Sequence, residues 1–497
     1  MSEETTIDDL PEEMLETIFS HLDLEDRKSV TAVCHRWSRL ALRWSELQLE
    51  VDFRKCGTEE SYRRTLLVSQ RPYRHLVCYF GYDYAVGDLL LYILAKFSES
   101  LETVKLIPNQ FVPVELSFFA SLTKLSANLK KLHIDACNFR DNSDGELEFH
   151  PLNNLQDLYL ENNLLDLPGG HDIRELTPNI TALHVQISYY SDRPLHVLRH
   201  FGPRLKELEV WFLSEDRFLE VCSMEFPCLR KINFYCVDWI FQDEDTIRMV
   251  QQFFRKSPDL REATLRCNMI APILADLANS CQNLSFLCLS METVSADCFR
   301  WFSSLRILKS LRLEDATIES PNLEQCPTLS SLRKISLYSV KITNALDLNH
   351  FLCRSYPALS VLELINVTTC GSFLYDQVVL SCNMAQLERL VLIEPDKSIN
   401  LMLFEYIDLP KLREVKLKFK ESYLASIPVG KQLRLQHFTM ELSVVNADTF
   451  KNLRLVLPNL KRLTLSGCSG NDLQTAREIL TGCDVRYRRK WRFEEAF

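Results

Sequence analysis

Apolar residues along the chain fall into one recurring frame, L-x-x-L-x-L, in which leucine or an aliphatic stand-in alternates with polar residues at the end of each copy. The frame is plainest in LQDLYLENN (Leu155 to Asn163). It returns as LKKLHI from Leu129, LKELEV from Leu205, LREATLRCN from Leu260, LSFLCL from Leu284, LKSLRL from Leu308, LRKISL from Leu332 and LSVLEL from Leu359. LERLVL from Leu387, LREVKL from Leu412, LQHFTM from Leu435 and LKRLTLSGC from Leu460 continue it, and weaker copies start at Tyr73, Leu101, Ile180 and Leu229. These 16 starts run from residue 73 to residue 460 at a mean spacing near 26. Period-two alternation predicts a short strand in every copy, with the frame residues turned to one side. About 20 residues remain between strands, enough for a helix and two loops. IRMVQQFFRKSP (Ile247 to Pro258) and PILADLANSC (Pro272 to Cys281) carry their apolar residues at helical spacing.

A frame of this form at this period is the pattern of leucine-rich repeats. The frame side chains are expected to point into a continuous core. Asn or Cys often follows at the ninth position, as in Asn109, Cys137, Asn163, Asn268 and Cys468, where a side chain is expected to bond backbone groups as the strand turns away. Ala316, Val340 and Val367 hold the same place in other copies. A proline often stands two residues before the frame, as at Pro178, Pro203, Pro258 and Pro357, where the missing amide hydrogen suits an incoming loop. Strands stack about 4.8 Å apart and helices are roughly 10 Å across, so stacking both must curve the array. The expected fold is an α/β leucine-rich-repeat solenoid, a horseshoe with parallel strands on the concave face and helices on the convex face. A small all-α module precedes it. The expected boundaries are 1–48 for that module, 49–72 for a linker and first-repeat entry, 73–484 for the repeats and 485–497 for a capping strand or tail.

The module lies in IDDLPEEMLETIFSHLDLEDRKSVTAVCHRW (Ile7 to Trp37). Pro11 reads as the first position of a helix, with Glu12 and Glu13 in the turn that favours negative charge. Met14, Leu15, Ile18, Phe19 and Leu22 form one stripe, and a second helical pattern runs through Val30, Val33, Cys34, Trp37, Leu40 and Ala41. So short a segment buries little surface by itself. It either caps the first repeat or keeps part of its stripe for another protein. The Leu10-Pro11 entry, Glu13, Met14-Leu15, Ile18, Leu22, Asp26, the Val33-Cys34 pair and Trp37 closely resemble an F-box over about 40 residues, with Leu24 standing where many F-boxes have proline. An F-box ahead of leucine-rich repeats is similar in plan to the F-box/leucine-rich-repeat family. In that family the F-box docks on a SKP-type adaptor, which joins a cullin and its RING subunit, and the horseshoe presents a protein substrate for ubiquitination.

The resemblance implies a substrate receptor of an SCF-type ubiquitin ligase, not itself an enzyme, with no cofactor and a cytoplasmic or nuclear location. It also implies that Leu10, Pro11, Met14, Leu15, Ile18, Phe19, Val33, Cys34 and Trp37 are adaptor contacts or their supports. Residues between the frame leucines are expected on the concave wall. Of these, Tyr159, Glu161, His184, Glu209, Trp211, Asn233, Tyr235, Arg266, Arg312 and Tyr338 are the candidate substrate-binding residues, with Trp211 and Tyr235 expected at one level of adjacent strands. Aromatics beside arginine favour protein binding; a mixed polar wall is the plainer alternative. A non-catalytic scaffold or inhibitor without ligase role fits the same repeats. A pocket for a small anionic molecule is disfavoured, because Arg266, Arg312 and Lys334 are interspersed with Glu262 and Glu314.

Composition narrows this little further. With 46% hydrophobic and 25% charged residues the chain reads as folded, and a net charge of −10 argues against nucleic acid as the partner. MSEETTIDD has neither the basic start nor the apolar run of a secretory signal, and LLLYILAKF is broken by Lys96, so no membrane span is expected. The 17 cysteines are an odd count without Cys-x-x-Cys and read as reduced thiols serving as small apolar residues. Gly-x-Ser-x-Gly, a phosphate-binding loop and His-Glu-x-x-His are all missing, so no catalytic or metal residue is assigned. VRYRRKWRF (Val485 to Phe493) reads as a last strand closing the array, or as a docking patch for acidic targets.

Overall fold

The computed structural model describes residues 7–22, 24–41, 48–54, 59–69, 71, 73–80, 88–108, 113–134, 138–140, 147–160, 172–187, 192–236, 243–319, 327–343, 356–369, 385–400, 409–423, 434–441 and 447–487. The chain divides into two compact units, Met1–Trp211 and Phe212–Phe497.

The first unit opens with three short helices, α1 (Glu12–Ser20), α2 (Leu24–Thr31) and α3 (His35–Ala41). Pro11 is the capping residue before α1 rather than its first helical position. The second helical pattern read from the sequence is two helices. The chain turns at Ala32 and Val33, whose amides reach back to Ser29 O and Val30 O, before Ser38 N bonds Cys34 O and starts α3. Strands follow at β1 (Gln48–Asp52), β2 (His75–Phe80), β3 (Thr103–Pro108), β4 (Pro113–Glu115), β5 (Lys131–Ile134), β6 (Asn138–Arg140), β7 (Asp157–Leu160), β8 (Ala182–Ile187) and β9 (Glu207–Phe212). β1, β2, β3, β5, β7 and β8 pair successively in parallel without slips, and Lys206 N and Glu207 N carry the ladder on to Thr181 O. β4 and β6 make a separate parallel pair. Residues 49–72, expected as a linker and first-repeat entry, supply most of β1 and the helix α4 (Glu59–Val68), ahead of the first frame.

In the second unit β10 (Lys231–Cys236), β11 (Glu262–Arg266) and β12 (Phe286–Ser290) are followed by the two-residue β13 (Thr293–Val294). Then come β14 (Ser310–Glu314), β15 (Thr317–Ile318), β16 (Lys334–Tyr338), β17 (Lys341–Ile342), β18 (Val361–Ile365) and β19 (Thr368–Thr369). β20 (Arg389–Asn400), β21 (Glu414–Tyr423), β22 (His437–Glu441), β23 (Arg462–Ser466) and β24 (Asp484–Tyr487) complete the unit. The longer strands pair in parallel from β10 to β24, and β13, β15, β17 and β19 form a second small sheet beside them. Every one of the 16 sequence frames begins a strand two residues after its start. The tail contributes β24 as an end strand, and residues 488–497 lie outside the described residues.

One seam recurs between most neighbouring repeats. Two consecutive amides donate to one carbonyl of the preceding copy: Arg261 N and Glu262 N to Arg230 O, Lys309 N and Ser310 N to Ser285 O, Ser360 N and Val361 N to Arg333 O. The frame residues close the core: Leu260, Ala263 and Leu265 are buried, as are Val250, Phe253 and Phe254 of the helix Glu244–Arg255. That helix and Ala271–Ser280 are the two predicted from spacing.

The turns that lack Asn or Cys at the ninth position are held in another way. Ala316, Val340 and Val367 are buried core residues, and the residue before each adopts a left-handed backbone: Asp315 (φ 48°), Ser339 (φ 52°) and Asn366 (φ 54°). Their amides donate to Tyr338 O, Ile365 O and Ile393 O of the next copy, so backbone rather than a ninth-position side chain holds these turns. Asn268 does tie its turn, accepting from Glu292 N at 2.8 Å through Oδ1. Asn109, Cys137 and Asn163 lie outside the described residues. In the first unit another set of asparagines joins neighbouring copies ahead of the frame. Asn128, Asn154 and Asn179, each just before a frame start, donate to Glu99 O, Ala127 O and Asn153 O of the preceding copy.

Candidate docking surfaces

The N-terminal helices build a core from α1 and α3. Leu15, Phe19, Leu40 and Ala41 are buried, and Leu10, Leu22, Val30 and Trp37 pack against them half-buried. Trp37 lies on Phe19 with ring centroids 5.3 Å apart, and Arg36 Nη2 donates to Leu10 O at 2.7 Å, pinning the entry to α3. A three-helix core this small leaves apolar side chains over. Met14 is 52% exposed, Ile18 39% and Val33 60%, and Pro11 and Cys34 are exposed as well. Pro11, Met14 and Ile18 recur at three- and four-residue steps and so share one face of α1. The nine candidate adaptor residues therefore separate. Leu15, Phe19, Trp37 and Leu10 hold the module together, and Pro11, Met14, Ile18, Val33 and Cys34 face outward.

On the open face of the first unit's sheet, side chains at one level of β5, β7 and β8 are His133, Tyr159 and His184. His133 stacks on Tyr159 with centroids 3.8 Å apart and planes 5° from parallel, and Tyr159 meets His184 at 5.6 Å. His184 is held from both sides, by Asp157 Oδ1 at 3.2 Å and Glu209 Oε2 at 3.2 Å. Burial works against its charge, but the bonds to Asp157 and Glu209 prevail and raise its pKa to about 9. Burial would raise the Asp157 carboxyl; His184 and Lys131, 3.1 Å away, hold it below its ordinary value. His133 goes the other way. Burial, then the nearby Lys105 and the charged His184, lower it to about 3, so it stays neutral, and its Nε2 has no hydrogen-bond partner. Trp211 is 43% exposed, with Nε1 donating to Glu209 Oε1 at 3.4 Å. Glu161 lies outside the described residues.

The second unit carries Asn233, Tyr235, Arg266, Arg312 and Tyr338 on the equivalent face. Asn233 and Tyr235 register with Thr264 and Arg266. Arg266 and Arg312 both grip Glu314, whose side chain is only 6% exposed; Arg266 Nη2 donates to Oε1 at 2.9 Å. The Arg312 guanidinium lies 3.8 Å from the Tyr338 ring centroid, and that of Arg266 5.3 Å from the Tyr235 ring. A second buried carboxylate, Glu363, accepts from Lys334 Nζ at 2.9 Å, Ser336 Oγ at 2.8 Å and the Tyr338 hydroxyl at 3.3 Å. Burial would raise Glu363, and Lys334 and Ser336 outweigh it and hold it low. Burial, then Glu363, push the Tyr338 hydroxyl up to about 12. Tyr338 was expected as an exposed aromatic, but it is buried beside Ile365, Val391 and Ile393, and the arginines beside it are ion-paired. Trp211 ends the first unit, and Tyr235 lies in the second. Sequence reasoning passed over Ser336, on the same strand as Tyr338, and His133 and Glu363, one strand further on either side, although the alternation that marked Tyr159 and Tyr338 runs through all three.

Residues 7–47 match the family model described as F-box-like, and residues 301–476 match the one described as At1g61320/AtMIF1, LRR domain. Comparison with curated proteins found no significant match. Among solved structures, an internalin (inlF) from Listeria monocytogenes str. 4b F2365 is 15% identical with a TM-score of 0.33, covering 89% of this chain and 100% of that one. The functional domain of InlJ from Listeria monocytogenes is 14% identical with a TM-score of 0.33, covering 75% and 71%. TLR13 in its complex with ssRNA13 is 14% identical with a TM-score of 0.35, covering 80% and 70%. The chain has an F-box-like module followed by leucine-rich repeats, the architecture of an F-box/leucine-rich-repeat protein.

Proposed function

We propose that the chain is the substrate-recognition subunit of an SCF-type ubiquitin ligase. The observation that carries this reading is the outward apolar set Pro11, Met14, Ile18, Val33 and Cys34 on a module whose own core is already closed by Leu15, Phe19, Leu40 and Ala41. Exposed apolar side chains grouped on a small helical module favour burial against a partner, and a SKP-type adaptor is the partner an F-box-like module implies. A cullin and a RING subunit would be reached through that adaptor. The repeats would hold the target protein through the open face of each unit's own sheet, with Tyr159, His184, Glu209 and Trp211 in the first and Asn233, Tyr235, Arg266 and Arg312 in the second. The chain contributes no bond-making step; it raises the local concentration of target lysines near the ubiquitin carrier. Such a receptor works in the cytoplasm or nucleus, which suits the free cysteines among the described residues.

The test is capture of the full chain by a purified SKP-type adaptor, comparing wild type with Met14→Asp/Val33→Asp. These exposed positions leave the module's core intact, so the variant should keep its helical signal and lose the adaptor. Equal capture of both proteins would sink the reading, and a wild-type chain that ignores the adaptor would leave a plain repeat scaffold.

A further inference from the structure

Two free cysteines occupy the same place in neighbouring repeats. Cys236 is the last residue of β10 and Cys267 the first after β11, and each is the eighth residue of its frame, counted from Leu229 and Leu260. β10 and β11 pair in parallel with Tyr235 opposite Arg266, so the next step of the register puts Cys236 beside Cys267. Neighbouring strands lie about 4.8 Å apart, within the Cα separation of about 4.4–6.8 Å that a disulfide requires. Both residues fall on the core-facing side of their strands, where the Cys267 thiol donates to Met269 Sδ at 3.6 Å. Cys236 is half-buried and Cys267 fully buried, so an oxidant reaches Cys236 first. The buried Cys222, on the helix Glu215–Ser223, is close enough to feel both. Among the described residues no group of three or more His, Cys, Asp or Glu side chains is placed to hold a metal ion.

We propose that Cys236 and Cys267 are a modification site that closes to a disulfide when the chain meets a peroxide. The Cys236 sulfur attacks one peroxide oxygen, the O–O bond breaks, and the departing oxygen leaves as water after taking a proton. The resulting sulfenic acid is attacked by the Cys267 sulfur; the S–O bond breaks and a second water leaves. Two thiols and one hydrogen peroxide become one disulfide and two waters, the two electrons lost by sulfur being those gained by the peroxide. Burial, then the neighbouring Cys267, hold the Cys236 thiol far above its ordinary range, so closure is slow at neutral pH. The bond would lie one residue beyond Tyr235 and Arg266 and fix the spacing of that pair on the open face. This inference is independent of the ligase reading.

The test treats the folded full chain with hydrogen peroxide at mildly alkaline pH, then alkylates it in denaturant and maps its peptides. The expected product has lost two hydrogens, takes up two fewer alkyl groups and yields one cross-linked pair containing Cys236 and Cys267; a dithiol restores both thiols. Cys222→Ser should keep the cross-link and Cys236→Ser should lose it. A cross-link that instead joins Cys222 to either partner would overturn the proposal. So would intact Cys236 and Cys267 thiols in a sample whose exposed Cys34 and Cys228 have been consumed.

Discussion

Replacing His184 by glutamine removes a cation held between two carboxylates while keeping a side chain of similar reach. The folded state raises the His184 pKa from 6.5 to about 9, and each unit of such a rise is worth about 1.4 kcal/mol of linked stability. The charge therefore contributes about 3 kcal/mol, with the side chain only 19% exposed to screening solvent. Because the pKa is raised on folding, that stability is fully present below the unfolded value and lost as pH climbs through the folded one. About 3 kcal/mol applies near pH 5.5, about 2 near pH 7.5 and under about 0.5 near pH 9. Asp157 stays ionised across this window because its own pKa is lowered. Thermal midpoints of wild type and His184→Gln, measured side by side from about pH 5.5 to 9.5, should show a gap that is widest at the acid end and shrinks through about pH 9. Ring-proton NMR should find His184 titrating near 9 and His133 remaining neutral through the same range. A gap independent of pH, or a His184 that titrates near its ordinary value, would refute the clamp.

Glu314→Ala leaves Arg266 and Arg312 without their shared buried carboxylate and should cost about 3 kcal/mol. Glu262→Ala, which breaks an exposed 3.8 Å pair with Lys231, should cost less than about 1 kcal/mol; urea midpoints of the two variants distinguish them. Leu15→Ala should cost about 2–5 kcal/mol and open α1–α3 to protease, whereas Met14→Ala should change stability by less than about 0.5 kcal/mol. Asn366→Gly should be neutral or stabilising, because Asn366 holds φ 54° and its Oδ1 is buried without a partner. Asn366→Val at the same backbone should cost about 1–2 kcal/mol, read from thermal midpoints.

The frame leucines were legible because one requirement, aliphatic side chains in an L-x-x-L-x-L frame, is repeated until chance cannot mimic it. Leu260, Ala263 and Leu265 hold their places even where alanine replaces leucine. The turns were less legible. Asp315, Ser339 and Asn366 share a backbone conformation but no side chain, and none is glycine, so no residue type advertised them. The short strands β13, β15, β17 and β19 have two residues each, too few for any periodicity. In the helical module the apolar spacing ran unbroken through Ala32 and Val33, and only the backbone bonds that close the turn there split it into α2 and α3. On the open face, alternation placed Tyr159, Arg312 and Tyr338 correctly. It carried no information on depth, because Tyr338 is buried by Ile365, Val391 and Ile393, residues separated from it by up to 55 positions in sequence.

Repeat arrays ordinarily yield one copy at a time, since each unit touches only its two neighbours. The Arg266–Glu314–Arg312 grip breaks that rule, reaching from β11 to β14 across β12. A fluctuation that peels β12 away must also sever a link between the copies flanking it. That stretch should therefore open as a block of three, and amide exchange there should slow for all three strands together or for none.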